Sequence, residues 1–196
     1  MTILQYMDDY IFMKKNAEAE KLAAELGFTK LNFLDSNFVI LKGKTQKELL
    51  KEIESARNEK NKKAFFSSSN FMNNKKLKTV FRADSEEMLR FAMEKNGVDI
   101  IYGMESINPK DSLHFVRGGL DQILCNIAGE KEKILAFSFA EILNSSDRAK
   151  LLARIMFNVK LCKKYKVQMM LSSFASSREE MRSAKDLQAL GRVLGL

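Results

Sequence analysis

Histidine is almost absent from this sequence, since His114 is the only one among its 196 residues. Imidazole is the commonest neutral protein ligand for zinc and related metals, so a single histidine argues against a binuclear metal-dependent hydrolase. A serine–histidine or cysteine–histidine catalytic pair remains an alternative, but no spacing around His114 indicates a partner. We therefore expect a structural or surface histidine, and we predict no catalytic and no metal-binding residue in this chain.

Cysteine, proline and tryptophan are also scarce, with two, one and none respectively. Cys125 and Cys162 lie among apolar residues in helical patterns and lack the spacing of a metal or redox motif, as is typical of buried thiols in a reducing compartment. One proline and nine glycines provide no flexible linker. We expect residues 1–196 to form a single domain with a sizeable core.

Long apolar runs are missing as well. The longest nearly apolar run, residues 134–143, has about half the length of a membrane span. Residues 1–15 place acidic residues before basic ones and contain no apolar stretch ending in small residues, so we expect no signal peptide. These absences predict a cytoplasmic protein with no membrane partner.

Short β-like runs alternate with helical patterns along the chain. The nearly continuous apolar character of several runs is typical of strands covered on both faces of a parallel sheet. Seven or more such strands in a chain of this length favour a compact, irregular TIM-like (β/α) barrel of the α/β class. The predicted strands are 30–34, 38–41, 63–67, 78–82, 98–102, 134–139 and 167–172. The predicted helices are 16–26, one beginning at Thr45, 85–95, 120–128, 148–165 and 185–194.

Charge is distributed very unevenly. Residues 148–196 contain eleven lysines and arginines but three acidic residues, which accounts for the whole net charge of +8, while residues 1–147 are balanced. Such asymmetry is typical of a surface that binds a polyanion. The alternative is a solvated basic face that has no partner.

The predicted helix 148–165 separates into two faces when its residues are placed at 100° intervals. The core stripe contains Leu151, Leu152, Ile155, Met156, Val159 and Cys162. The opposite arc contains Lys150, Arg154, Lys160 and Lys164, together with Phe157 and Leu161. These two apolar residues either pack against neighbouring helices or form a protein–protein contact surrounded by basic residues.

Residues 173–178 form a serine-rich loop after the last strand, at the end of a barrel where ligands usually bind. Serine hydroxyls and free backbone N–H groups beside arginine are good phosphate donors, although a serine loop that merely starts a helix is equally compatible. No nucleotide-binding glycine motif is present, and Gly118-Gly119 is weak evidence for phosphate binding.

Several stretches resemble one known family, the archaeal ribonuclease P protein component 3. They are residues 148–173, the motif Arg182-Ser-Ala-Lys-Asp-Leu-Gln-Ala-Leu-Gly191, and residues 112–125 and 134–139. The resemblance is specific over residues 112–196 and collinear before them, where residues 10–12 would form the first strand. Phe174 and Gln168 depart from the family pattern, which usually has a small residue and proline there.

The resemblance implies a barrel related to the polymerase-and-histidinol-phosphatase fold that has lost its metal ligands. It implies a non-catalytic subunit of ribonuclease P, the endonuclease that removes 5′ leaders from precursor tRNA by means of its RNA. The implied partners are ribonuclease P RNA, the small α/β subunit called protein component 2, other ribonuclease P protein subunits, and precursor tRNA in the assembled complex. Mg²⁺ is then expected with the RNA, and no cofactor with this chain.

These considerations give a predicted site and two alternatives. The predicted RNA-binding residues are Arg148, Arg154, Lys160, Lys163, Lys164, Arg178, Arg182 and Lys185, and Phe157 and Leu161 are predicted to contact a partner subunit. The first alternative is a free-standing barrel, a metal-dependent phosphoesterase for a small phosphorylated substrate, with Glu105 and Asp35 as its candidate carboxylates. The second is nonspecific binding of single-stranded nucleic acid, which usually requires exposed aromatic residues. Whether residues 68–76 join the RNA surface stays open.

Overall fold

A computed structural model of the chain describes residues 8–67, 77–111 and 115–196. His114 and the loop 68–76 lie outside the described residues. Strands in the described ranges are β1 Asp8–Lys14, β2 Lys30–Leu34, β3 Phe38–Leu41, β4 Lys78–Arg82, β5 Ile100–Tyr102, β6 Ile134–Ser138 and β7 Gln168–Ser172. Helices are α1 Ala17–Glu25, α2 Gln46–Ser67, α3 Glu86–Glu94, α4 Gln122–Glu130, α5 Phe139–Asn144, α6 Arg148–Lys164 and α7 Ala184–Leu194. Two short 3₁₀ helices are Met104–Ser106 and Arg178–Glu180.

The seven strands form one parallel sheet in which they are ordered as in the sequence. The sheet curls, and its first strand meets the segment that follows its last one. The Phe12 N–H donates to the Ala175 carbonyl at 2.8 Å, and the Phe174 N–H donates to the Tyr10 carbonyl at 2.9 Å. The predicted α/β class and TIM-like architecture are confirmed.

A buried carboxylate joins β1 to the end of β7. Asp9 is fully buried, and its Oδ1 accepts hydrogen bonds from Ser172 Oγ at 2.6 Å and from the Ser173 N–H at 2.7 Å. The Ser173 hydroxyl donates to Asp9 Oδ2. Burial raises the pKa of Asp9, although these hydrogen bonds act in the opposite direction. The adjacent serines therefore close the curled sheet.

Aromatic side chains fill the inside of the sheet, among them Tyr10, Phe12, Phe38, Tyr102 and Phe174. The Phe174 ring stacks on Tyr102 with 4.8 Å between centroids and on Phe12 with 5.2 Å. Phe174 has a left-handed backbone with φ of 46°, which is uncommon for a non-glycine residue. This turn places a large ring in the barrel directly after β7.

The outer face of the sheet is covered by helices. One core lies beneath α2, α3, α4 and α6 and includes Leu49, Leu89 and Ile155, and another lies between β1, α1 and α7. Cys125 and Cys162 are free and buried in the first of these cores, as predicted. None of the helices in the described ranges has both the length and the apolar composition needed to cross a membrane.

One predicted element is wrong. Residues 63–67 are not a strand but the last turns of α2, which begins beside Thr45 and ends at Ser67. The Glu48 N–H donates to Thr45 Oγ1 at 3.3 Å, so the predicted helix start is confirmed. No glycine or proline interrupts the sequence from Thr45 to Ser67, and the helix therefore continues through the short apolar run.

Candidate nucleic-acid interface

Arg154 does not lie on the outer arc of α6, and the prediction for this residue is wrong. It is 3% exposed, and its Nη1 donates to the carbonyls of Glu105 at 2.9 Å and Asn108 at 2.6 Å. Its Nε donates to Asp111 Oδ1 at 2.9 Å. The segment after β5 packs over this face of α6 and supplies all three acceptors. Arg154 thus holds that segment in place and is not accessible to RNA.

Asn158 and Gly118-Gly119 form a second close contact on the same face. The Asn158 side chain donates to the Gly118 carbonyl at 2.6 Å, and a Cβ on Gly118 would lie 2.3 Å from Asn158 Oδ1. Gly119 has φ of 83°, and a Cβ there would lie 2.0 Å from the Met104 carbonyl oxygen. The two glycines therefore allow the backbone to pack closely against α6 and the turn after β5.

Three predicted basic residues lie at the carboxyl end of α6. Lys160, Lys163 and Lys164 are all exposed, and we call them the α6 basic end. The Lys164 ammonium lies 5.4 Å from the centre of the Tyr165 ring. Lysines at this end also interact favourably with the helix dipole, so part of their role is structural.

The other predicted basic residues lie beside the carboxyl ends of the strands, and we call Arg148, Arg178, Arg182 and Lys185 the mouth bases. Arg148, Arg178 and Lys185 are exposed. Arg182 is half-buried, because its Nη1 donates to the carbonyls of Glu179 and Met181 at 2.7 Å and its guanidinium lies 5.3 Å from the Phe139 ring centre. Arg148 and Lys164 are the two ends of α6 and are separated by its whole length, about 24 Å at the rise of an α-helix. The structure thus brings the predicted residues together in two groups.

The serine-rich loop offers fewer donors than its sequence predicts. Ser173 is fully buried, and both its N–H and its hydroxyl donate to Asp9. The Ser176 N–H donates to Glu180 Oε2 at 2.7 Å. The prediction of free phosphate donors is therefore wrong at these two serines, whose groups close the barrel and order the loop.

A groove of about 790 Å³ lies between α4 and α6 and is lined by Phe157 and Leu161. Phe157 is 36% exposed and Leu161 is half-buried. The groove also contains the exposed side chains of Phe115 and Ile123, which sequence reasoning did not single out. The exposure of Ile123 could have been predicted from the sequence of α4, since Leu124, Cys125 and Ala128 form the buried face of that helix. Charged residues at the groove are Glu86, Arg90, Arg117, Asp121 and Lys164.

The two carboxylates considered for the phosphoesterase alternative do not converge. Asp35 is exposed in the turn between β2 and β3, whereas Glu105 is buried after β5, with β3 and β4 between the two positions. Across residues 8–67, 77–111 and 115–196, no group of three or more histidine, cysteine, aspartate or glutamate side chains is arranged to hold a metal ion.

Comparison with known proteins identifies similar chains. A family model described as RNase P subunit p30 matches residues 42–196. Ribonuclease P protein component 3 of Thermococcus kodakarensis is 35% identical over 80 residues, 40% of this chain and 36% of the relative. The protein of the same name from Methanosarcina barkeri is 30% identical over 119 residues, 60% of this chain and 46% of the relative. The matches therefore span less than half the length of these relatives.

A solved structure has a similar fold. It is a chain in a cryo-EM structure of archaeal ribonuclease P with mature tRNA, with a TM-score of 0.65 and 21% identity. The similarity covers 95% of this chain and 72% of that chain.

Proposed function

This chain belongs to the RNase P subunit p30 family, and we propose that it is a non-catalytic protein subunit of ribonuclease P, in which the RNA removes 5′ leaders from precursor tRNA. The observation that supports this most directly is the accumulation of the whole net charge in residues 148–196, where exposed bases occur on α6 and beside α7. Its partners would be ribonuclease P RNA, other protein subunits and, in the assembled complex, precursor tRNA. The Mg²⁺ would be held by the RNA, and the chain would act in the cytoplasm as a single barrel domain.

RNA binding would use the exposed part of the predicted set. The α6 basic end and the mouth bases Arg148, Arg178 and Lys185 have exposed cationic side chains, although Arg148 Nη2 also donates to the Leu143 carbonyl at 2.7 Å. Such residues contact phosphates and fix the orientation of an RNA without reading its bases. Arg154 is removed from this set because its guanidinium is used inside the protein.

Protein component 2 would occupy the groove between α4 and α6. The groove combines apolar side chains that include Phe115, Ile123 and Phe157 with charged residues at its edge, which is the usual composition of a protein–protein interface. Lys160 and Lys164 lie on α6 one turn from Phe157 and Leu161. The same helix would therefore carry a protein contact and an RNA contact next to each other.

A charge-reversal experiment tests the RNA surface. Replacing Lys160, Lys163 and Lys164 together by Glu should weaken binding to ribonuclease P RNA, measured by filter binding between about 50 and about 200 mM salt. If about six phosphates are neutralised, affinity of the unchanged protein falls about 10³-fold over that range, and the variant loses about three units of the salt slope.

Lys44, Lys47 and Lys51 provide a matched control, because they are also exposed lysines and their replacement by Glu changes the net charge equally. This control should keep most of its salt slope. Equal weakening by both triple variants, or binding that does not change with salt, would contradict the proposed surface.

A further inference from the structure

A second pocket lies at the carboxyl ends of β4, β5 and β6, outside the surfaces described above. Its volume is about 450 Å³, and its lining includes Arg82, Glu105, Glu141 and Lys150. Arg82 ends β4, Glu105 lies in the 3₁₀ helix after β5, and Glu141 lies in the first turn of α5 after β6. In barrels, this edge of the sheet is where ligand-binding groups gather.

Three carboxylate oxygens in this pocket have no hydrogen-bond partner within the part of the chain that the structure describes. They are both oxygens of Glu105, whose side chain is fully buried, and Oε2 of Glu141. A buried carboxylate without a donor is costly, and most buried polar groups are paired. These unpaired acceptors lie in the wall of the pocket with almost no exposed area, so a group that pairs with them must enter past the side chains that cover them.

Arg82 and Lys150, two of the three basic residues that line the pocket, already have hydrogen-bond partners, whereas Nη2 of the third, Arg154, is buried and makes only an ion pair with Asp111 at 2.8 Å. Arg82 Nε donates to Glu141 Oε1 at 2.8 Å, and Arg82 Nη1 pairs with Asp84. The Lys150 ammonium donates to the Pro109 carbonyl at 2.6 Å. The charged side chains that line or pair with this pocket are the bases Arg82, Lys150 and Arg154 and the acids Asp84, Glu105, Asp111, Glu141 and Asp147. Asp84 and Asp111 do not themselves line the pocket, so its lining has three acids and three bases, on a chain that is strongly basic overall.

We propose that this pocket binds an organic cation, a guanidinium or primary ammonium group, held between the carboxylates of Glu105 and Glu141. Both groups carry several N–H donors, and a guanidinium matches carboxylate oxygens in a planar arrangement. A metal ion fits less well, because the described residues offer no third carboxylate, histidine or cysteine arranged around a metal position. The cation comes either from an arginine or lysine side chain of a partner protein or from a free polyamine.

The ionisation of Glu105 supports the proposal and predicts that cation binding depends on pH. Burial, followed by the nearby Glu141 charge, raises the pKa of Glu105 to about 8. A cation that pairs with ionised Glu105 must displace its proton. Apparent affinity should then fall about tenfold for each pH unit below that pKa.

The test uses the full chain and two soluble probes, agmatine for the guanidinium source and spermidine for the polyamine source. Binding is followed by amide NMR shifts of pocket residues such as Ser106 and Asn144 at about pH 8.5 and about pH 6.5. At least one probe should bind, more tightly at the higher pH. Tighter binding of agmatine indicates a partner's side chain, and tighter binding of spermidine indicates a polyamine.

Substitutions locate the site. Glu105→Gln should weaken binding at least about tenfold and remove its pH dependence, because an amide cannot pair with the cation as a carboxylate does. Glu130→Gln, at an exposed position at the end of α4, should bind as the unchanged protein does. If Glu105→Gln fails to fold, Glu141→Gln carries the same expectation.

Four results would overturn the proposal. They are no binding of either probe, binding of Mn²⁺ in place of both probes, binding unaffected by loss of the Glu105 or Glu141 charge, and binding seen only in Lys150→Met. The last would show that the chain's own Lys150 satisfies the carboxylates. None of these results bears on RNA binding by α6, so this test is independent of the proposed function.

Discussion

The sequence-based prediction and the structure differ most for individual polar residues on α6. Arg154 and Asn158 share the buried face of the helix with Leu151, Ile155 and Val159. A helical wheel assigns a charged residue to solvent, because it contains no information about acceptors elsewhere in the chain. The acceptors of Arg154 are two carbonyls and one carboxylate located 43 to 49 residues away in sequence. This tertiary contact could not be predicted from the pattern of α6.

Replacing Arg154 by Met should lower the free energy of unfolding by about 3 kcal/mol, because removing one partner leaves buried acceptors unpaired. The control is Lys160→Met, at an exposed position on the same helix, which should change stability by less than about 0.5 kcal/mol. Urea unfolding monitored by circular dichroism measures both values. Similar stability of the two variants would contradict the internal role of Arg154.

The raised pKa of Glu105 should make the stability of the fold depend on pH. Its pKa is raised from an ordinary 4.5 to about 8 by burial and by Glu141, so the folded state retains a proton that the unfolded state releases. The stabilising effect of that proton is complete below about pH 4.5 and is lost as pH rises toward about 8. The Glu105→Gln variant does not lose stability in this way, because a glutamine side chain does not titrate. Its stability relative to the unchanged protein should therefore increase over that range, by roughly 4–5 kcal/mol in total.

Denaturant unfolding at several pH values, in parallel for the two proteins, checks this prediction. A constant stability difference between about pH 5 and about pH 8 would show that Glu105 is ionised in the folded protein.

At the scale of single elements, the sequence predicts most helices because their ends carry local signals. The predicted helix start at residue 16 is confirmed, because the Ala19 N–H donates to Asn16 Oδ1 at 2.7 Å. The predicted helix start at residue 85 is confirmed in the same way, because the Met88 N–H donates to Ser85 Oγ at 3.2 Å. The predicted strand 63–67 failed because a short apolar run is compatible with a helix as well as a strand. On α6, Met156 was assigned to the core stripe, yet it is 39% exposed.

This exposure of Met156 provides a control for the proposed groove. Phe157→Ser should weaken association with protein component 2 about tenfold, because Phe157 lines the groove and would lose apolar contact area there. Met156 is similarly exposed on the same helix but does not line the groove, so Met156→Ser should leave association nearly unchanged. Calorimetric titration measures association, and thermal unfolding measures stability.

Phe157→Ser should reduce stability less than it reduces association. If both fall equally, Phe157 acts as a core residue, and the groove is not the docking site.

At the scale of the whole molecule, the predicted barrel is confirmed but its closure is not visible in the sequence. The alternation of strands and helices predicts a parallel sheet, and the observed sheet has its strands in sequence order. Closure depends on Asp9 and on Ser172 and Ser173, which are about 160 residues away in sequence. In the sequence alone, the same serines are indistinguishable from phosphate donors, because both roles require hydroxyl and N–H groups in a loop.

The uneven distribution of charge along the chain could be predicted from the sequence, but the positions of the basic residues in space could not. The predicted RNA-binding residues divide into the α6 basic end and the mouth bases, separated by about the length of α6. An RNA that contacts both groups must extend along the side of the barrel and not dock at one point. Phosphate contacts spread over this distance favour a role in orienting a large RNA.

The proposed role in ribonuclease P is best tested by reconstituting precursor tRNA cleavage by ribonuclease P RNA at low Mg²⁺, with protein component 2 present and this chain added or withheld. We expect that adding the chain increases the cleavage rate, and that replacing Lys160, Lys163 and Lys164 together by Glu removes the increase without unfolding the protein. A cleavage rate that does not respond to the chain, or full stimulation by the triple variant, would show that the chain does not act through this surface.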